Sequence, residues 1–325
     1  MELLRILKNL FPPWGRFPKT HMNTDEALAK VFKGVTFSYD RENEIPSFQP
    51  LQGIHQLLPL SPYMIPPTLR TNCFIIGDAH EKPYIIDPSP KDGEEYRKLA
   101  NTLKKPGYSY SGIFITHHHI DHHHLAPGLA RDFSLPVTMS ETTYQWIKRR
   151  CGKNYLDALE IKFVKEGDML TRWMGKEVKV YEVPGHDSGQ LGLAPESMEW
   201  FLVGDLIEDK GTVVIGTEEG DMARYFESLE RIIRLDPKVL LPSHGMVMET
   251  TARLKETLEH RKMREQQVLH LHRKGKTPAQ MVKIIYSSVD RRLWPLALEN
   301  IKSHLQKLEK ENEGTRRKQN NKNSL

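Results

Sequence analysis

The stretch Ile113-Phe114-Ile115-Thr116-His117-His118-His119-Ile120-Asp121-His122-His123-His124 carries the reading of the whole chain. Three apolar residues run straight into six imidazoles with one carboxylate among them. A short apolar run with a polar break after it predicts a buried strand over Ile113 to Ile115. Strand alternation then puts His117 and His119 on one face and turns His118 away. A turn beyond the strand can bring Asp121 and His122 round to the same pocket. Two histidines on one face, followed by an adjacent Asp and His, are ligand types for two metal ions rather than one. Neutral imidazole with carboxylate suits zinc, with iron or manganese as alternatives. A histidine-rich run can also be a tag or a low-complexity tract, but this one is internal and follows an apolar strand.

The same pattern recurs further along. An apolar run ends, and a His or Asp follows at once beside Gly or Pro: Pro184-Gly185-His186, Gly204-Asp205 and Pro242-Ser243-His244-Gly245. Sheet proteins place chemistry on the loops where strands end, because the sheet holds the backbone there. Around these points the sequence predicts strands over Asn72–Gly77 and Pro83–Asp87 as a hairpin, a helix over Glu94–Leu103, and a helix over Ala126–Phe133. A strand over Pro136–Met139 follows. Further strands are expected over Glu177–Val183, Gln190–Ala194, Glu199–Val203, Val213–Ile215 and Val239–Leu241, with an amphipathic helix over Ala223–Arg234. Alternating strands and helices predict a layered α/β sandwich.

Thr116-His117-x-His119-x-Asp121-His122, with Pro-Gly-His186, Gly-Asp205 and Pro-Ser-His244-Gly, resembles the metallo-β-lactamase superfamily over roughly residues 71–245. The resemblance implies an αββα sandwich with metals at one edge of its two sheets. It implies one ion on His117, His119 and His186, a second on Asp121, His122 and His244, and Asp205 bridging both. Asp87, at the end of Ile86-Asp87-Pro88, matches the early strand-end Asp that would orient the site. Two such ions ready a bridging hydroxide for attack, so His119 and Asp121 are the expected catalytic residues, Asp121 also orienting that hydroxide. The leaving group's acid is not identified by these residues. His118, His123 and His124 are expected behind the ligands or on the surface.

The charge is unevenly spread. Residues 251–325 hold 18 Lys/Arg against 8 Asp/Glu, and the first 250 hold 29 against 34. A basic C-terminal part on an acidic body suggests an anionic partner. A helix is expected from Thr251 through His272, stopped at Gly275. Thr277 and Pro278 start a second helix through Tyr286, and Trp294 to Lys310 form a third. Arg261-Lys262-Met263-Arg264-Glu265-Gln266-Gln267, Ile284-Ile285-Tyr286 and Leu298-Glu299-Asn300-Ile301-x-x-His304-Leu305 resemble the β-lactamase-like protein 2 family. That family carries a winged-helix-like C-terminal module and comprises metal-dependent endoribonucleases acting on single-stranded RNA. The reading is therefore an RNA phosphodiesterase, with Arg261, Lys262, Arg264, Lys274 and Lys276 as candidate backbone contacts. The alternative is thioester hydrolysis of the glyoxalase II type, which uses the same ligands on a small-molecule thioester. A binding module on a silent hydrolase body fits less well, since all seven ligand positions are filled.

The expected organisation is an N-terminal extension over 1–50, a catalytic domain over 51–250, the helical module over 251–310, and a disordered tail over 311–325. Phe11-Pro12-Pro13-Trp14-Gly15 should break any helix begun at Glu2, and Asn23 to Glu26 should cap one through Phe32. No run approaches the roughly 18 apolar residues of a membrane span. The start lacks a small-residue cleavage site, and Cys73 and Cys151 stand far apart. Together these predict an intracellular, cytoplasmic protein in a reducing compartment.

Overall fold

The computed structural model describes residues 24–64, 68–107, 109–209 and 211–322. The expected break at Phe11 to Gly15 and the prolines Pro66 and Pro67 lie outside them. Helix α1 (Thr24–Val31) precedes a first sheet of seven strands in chain order: β1 (Ser47–Leu51), β2 (Ile54–Leu57), β3 (Cys73–Ile76), β4 (Tyr84–Ile86), β5 (Gly112–Phe114), β6 (Val137–Met139) and β7 (Ile161–Phe163). Strands β1 to β4 pair antiparallel, and β4 to β7 pair parallel. The second sheet runs β13 (Met248–Glu249), β12 (Val239–Pro242), β11 (Phe201–Gly204), β10 (Leu191–Pro195), β9 (Lys176–Glu182) and β8 (Met169–Trp173). Helices α2 (Gly93–Lys104), α3 (Ile120–His123), α4 (Ala126–Asp132), α5 (Glu141–Cys151) and α6 (Met222–Leu235) lie between strands. Helices α7 (Ala252–Arg273), α8 (Pro278–Ile285) and α9 (Trp294–Lys322) close the chain.

Side-chain alternation builds the layers. In β3, Phe74 and Ile76 face the second sheet, where they meet Val178, Val180, Leu193, Trp200 and Leu202. Cys73 and Ile75 face the other way, onto Leu99 and Leu103 of α2, Leu129 of α4 and Ile147 of α5. In β11, Leu202 joins the inter-sheet core, while Phe201 and Val203 pack on Tyr225 and Leu229 of α6 and Leu254 of α7. Helix, sheet, sheet, helix is the expected αββα order. Each fully buried Phe or Leu stabilises it by roughly 1.5–3 kcal/mol.

The sheet begins earlier than the sequence suggested, at Ser47, because β1 and β2 extend its antiparallel edge. Val213 to Ile215 form no strand; side chains, not a ladder, take up their polar backbone groups. Thr277 starts α8 with a reciprocal capping box to Gln280. The C-terminal helices share a small core of Val268, Met281, Val282, Ala297 and Ile301. The segment from Glu311, expected to be disordered, continues α9 to Lys322. Extending an existing helix avoids the cost of nucleating one. Both cysteines are free. No described helix is long and apolar enough to cross a membrane.

Candidate metal centre

Five strand ends meet at one edge of the two sheets. Strand β4 delivers Asp87, β5 the loop with His117 and His119, β9 the turn to His186, β11 Asp205 and β12 His244. Hydrogen bonds tie this edge together. Leu191 N–H donates to Thr116 O (2.9 Å), Ser243 N–H to Gly204 O (3.2 Å), and Asn72 N–H to Ser243 O (2.7 Å). The Asn72 amide also donates to Pro242 O and Gly245 O (2.8 and 2.9 Å), fixing both sides of His244. The strand β5 ends at Phe114, so His117 to His119 sit on a loop and α3 carries Asp121 and His122 round to the site.

Two groups of donor atoms form. His119 Nδ1 lies 3.1 Å from His117 Nε2 and 2.9 Å from His186 Nε2. His244 Nε2 and His122 Nε2 lie 3.4 and 3.5 Å from Asp121 Oδ2. Asp205 stands between the groups. Its Oδ2 is 3.8 Å from His117 Nε2 and 3.5 Å from both His186 Nε2 and His122 Nε2, and its Oδ1 is 3.3 Å from His244 Nε2. The seven expected ligands therefore share one site. A third grouping, His118, His119 and Asp187, shares His119 with the first.

The outer ring nitrogens show which way the lone pairs point. His119 Nε2 faces Glu219 Oε1 (3.0 Å), His186 Nδ1 faces Val214 O (2.8 Å), and His244 Nδ1 faces Arg70 O (3.2 Å). His122 Nδ1 faces Asp87 Oδ2 (2.9 Å). Asp87 also accepts from Thr116 N–H and Oγ1–H (2.8 and 2.7 Å), leaving the Thr116 oxygen to accept from His117 Nδ1 (3.0 Å). With each outer nitrogen facing an acceptor, the inner nitrogens of His117, His119 and His186 converge on one space, and those of His122 and His244 face the carboxylates of Asp121 and Asp205. Such convergence is repulsive unless a cation fills it, and it is how metal-bound histidines are held. Buried His122 Nε2 and Asp205 Oδ1 make no hydrogen bond. The donor set fits divalent cations.

Charge acts unequally on the two groups. Burial and the neighbouring His122 and His119 push His117 well below the ordinary imidazole value, and burial with His119 brings His186 to about 4. Burial also depresses His122 and His244, but the carboxylates overcome it. Asp121, Asp205 and Asp87 raise His122 to about 10, and Asp205 and Asp121 hold His244 well above 6.5. Burial would raise Asp121, but His122 and His244 bring it to about 2.

Glu219 and Glu208 escaped the sequence reading, while His118 and His123 were expected behind the ligands or on the surface. Glu219 is buried behind His119 and ion-pairs with Arg150 of α5. His118 is buried too, bonded to Asp187 and stacked on Trp146 at 5.1 Å and 18°. His123 is buried behind α3, between His118 O and the Tyr155 hydroxyl. Burial raises Glu208, three positions beyond Asp205, to about 7. Gly185 had a visible signal, the Pro-Gly before His186. With φ +139°, a Cβ there would lie 2.3 Å from Tyr225 Cα. Gly185→Ala should push His186 off α6, cost about 3 kcal/mol or more, and lower the melting temperature by several degrees with loss of bound metal. A melting curve and a metal count on the purified variant check this; an unchanged pair of values would refute the close approach.

One correction concerns the basic contacts. Arg261 is 1% exposed, bonded to Val213 O and Asn300 Oδ1, and cannot reach a phosphate backbone. Arg264 is half-buried over the Tyr286 ring, while Lys262, Lys274 and Lys276 are exposed.

The metallo-beta-lactamase superfamily model matches residues 66–244, and the beta-lactamase associated winged helix domain matches residues 277–318. A beta-lactamase-like protein 2 homolog of Drosophila melanogaster is 29% identical over 256 residues, 74% of this chain and 82% of that one. A hydroxyacylglutathione hydrolase of Wigglesworthia glossinidia brevipalpis is 31% identical over 48% of this chain and 54% of its own. A beta-lactamase domain protein from Burkholderia ambifaria shares the fold with a TM-score of 0.69 at 19% identity, covering 82% of this chain and 88% of its own. Its members are metal-using hydrolases, and the match runs from the approach to β3 through His244: the chain belongs to the metallo-beta-lactamase superfamily.

Proposed function

We propose that the protein is a two-metal hydrolase that cleaves phosphodiester bonds in single-stranded RNA. His117, His119 and His186 would hold one cation, Asp121, His122 and His244 the other, and Asp205 would serve both. The observation that supports the two-metal reading is Asp205, whose carboxylate lies against imidazoles of both groups, His117 and His186 of the first and His122 and His244 of the second. Two bound cations, zinc with iron or manganese as alternatives, supply a water that ionises near neutrality and offset charge gathering on the reacting oxygen. Asp121 orients that water from its place beside His122 and His244, and His119 is kept in one tautomer by Glu219. Asp87 holds His122 directly and His117 through Thr116.

Exposed Lys274 and Lys276, at the turn between α7 and α8, and Lys262 support an anionic substrate, as does the resemblance to the β-lactamase-like protein 2 family. The loss of Arg261 from the set leaves four candidates with Arg264. A second reading, thioester hydrolysis, is favoured by the matching hydroxyacylglutathione hydrolases. The test presents fluorescent single-stranded RNA and S-lactoylglutathione in parallel, with and without chelator, beside a His119→Ala control. Chelator-sensitive RNA cleavage is expected, with binding that weakens with salt at a logarithmic slope of about −3 for four phosphate contacts. Turnover of the thioester alone would overturn the RNA reading.

A further inference from the structure

The loop between β11 and α6 makes no sheet pairing over Val213 to Ile215, yet several of its polar groups are engaged. On one side it meets the metal centre. Val214 O accepts from His186 Nδ1 (2.8 Å), and Glu219 Oε1 accepts from His119 Nε2 (3.0 Å). On the other side it meets the C-terminal helices. Ile215 N–H donates to Asn300 Oδ1 (2.9 Å), Thr217 Oγ1 donates to Glu299 Oε2 (3.1 Å), and Val213 O accepts from Arg261. Arg261 Nη1 also donates to Asn300 Oδ1 (3.2 Å).

The C=O of Val214 and the N–H of Ile215 belong to a single planar peptide unit. One end of that plane holds the outer nitrogen of His186, and the other rests on the Asn300 side-chain oxygen. Imidazole, peptide and Asn300 oxygen form a relay of two hydrogen bonds in which one polarises the next, and Arg261 donates to the same Asn300 oxygen and holds it in place. Asn300 and Arg261 are 6% and 1% exposed, so water does not readily take over either role.

We propose that Asn300 is a positioning residue of the metal centre, acting through the Val214–Ile215 peptide to set the ring of His186. The C-terminal helices are then part of what shapes the first cation's site, in addition to any part they play in holding substrate. Arg261 fixes the Asn300 amide oxygen in place, and Glu299 steadies the same loop through Thr217. The proposal rests on the two-metal reading above.

The test is metal affinity, measured on the full chain by competition with a chromophoric chelator, together with the visible spectrum of the Co²⁺-loaded protein. His186→Ala identifies which equivalent belongs to the His117, His119 and His186 group. Asn300→Leu removes the acceptor; it should weaken that same equivalent by about ten- to a hundredfold, leave the other within about twofold, and shift the Co²⁺ bands. Asn300→Asp keeps an acceptor toward Ile215 and Arg261 and should restore both readings. Thr217→Val, which loosens the loop at one bond, should weaken the same equivalent by a few-fold. It decides the matter if Asn300→Leu fails to fold. Folded variants whose two metals are both unchanged, or both weakened alike, would overturn the positioning role. A wild-type chain that takes up no metal would instead overturn the two-metal reading, and this proposal with it.

Discussion

Asp205→Asn should lower turnover on the order of a thousandfold, about 4 kcal/mol, and leave the protein unable to hold two metals together. The carboxylate lies within 3.8 Å of four imidazole nitrogens, three reached by Oδ2 and one by Oδ1. An amide of the same shape replaces one of those oxygens with an NH2 group, which cannot ligate. It also removes a negative charge between two dications, whose mutual repulsion then goes unopposed. His117, His119 and His186 remain, so one metal should stay. Elemental analysis of the purified variant should therefore give near one equivalent against two for wild type, with an unchanged far-ultraviolet spectrum. An Asp205→Asn protein with two tightly bound equivalents and near-normal turnover would remove the bridging role.

How much of this was legible in the sequence depended on whether a residue's task leaves a local trace. The seven candidate ligands were legible because His117, His119, His186, Asp205 and His244 stand just beyond apolar strand ends and Asp121 and His122 follow within a few residues on α3. Glu219 was not, because its role is set by a loop that returns to His119 from 100 positions away, and a glutamate beside Gly220 looks like any polar turn. Arg261 was misread because charge was counted without phase. Leu254, Leu258, Arg261, Glu265 and Val268 lie three or four apart and are all buried, so spacing alone placed this arginine on the covered stripe of α7. Val213 to Ile215 look like a strand by composition, but their backbone partners are His186, Asn300 and Arg261. Those are choices that only the tertiary fold makes.

The second large effect is the pH dependence of metal uptake, which should differ sharply between the two sites. Metal and proton compete for the same lone pair, so a ligand whose pKa lies above the working pH must release a proton when the metal binds. In the first group, His117 lies well below 6.5 and His186 at about 4. Those two rings are already biased to the neutral form, and lowering the pH from 8 to 6 exacts little from them. In the second group, His122 sits at about 10 and His244 well above 6.5, each ring held charged by Asp121 and Asp205. His122 is protonated across that window and His244 is biased the same way, so binding there displaces protons and the apparent affinity falls about tenfold per unit of pH for each proton displaced. Asp121, at about 2, and Asp205, held well below 3.8, stay ionised throughout and contribute no slope. Between pH 8 and pH 6 the second site should thus weaken by about a hundredfold or more, the part His122 alone carries. His117 and His186 contribute no comparable loss to the first site. Titration calorimetry in buffers of different ionisation enthalpy counts the released protons directly, with more expected from the second equivalent than from the first at pH 7. Equal proton release from both equivalents, or metals lost together on acidification, would show that the carboxylates do not divide the site in this way.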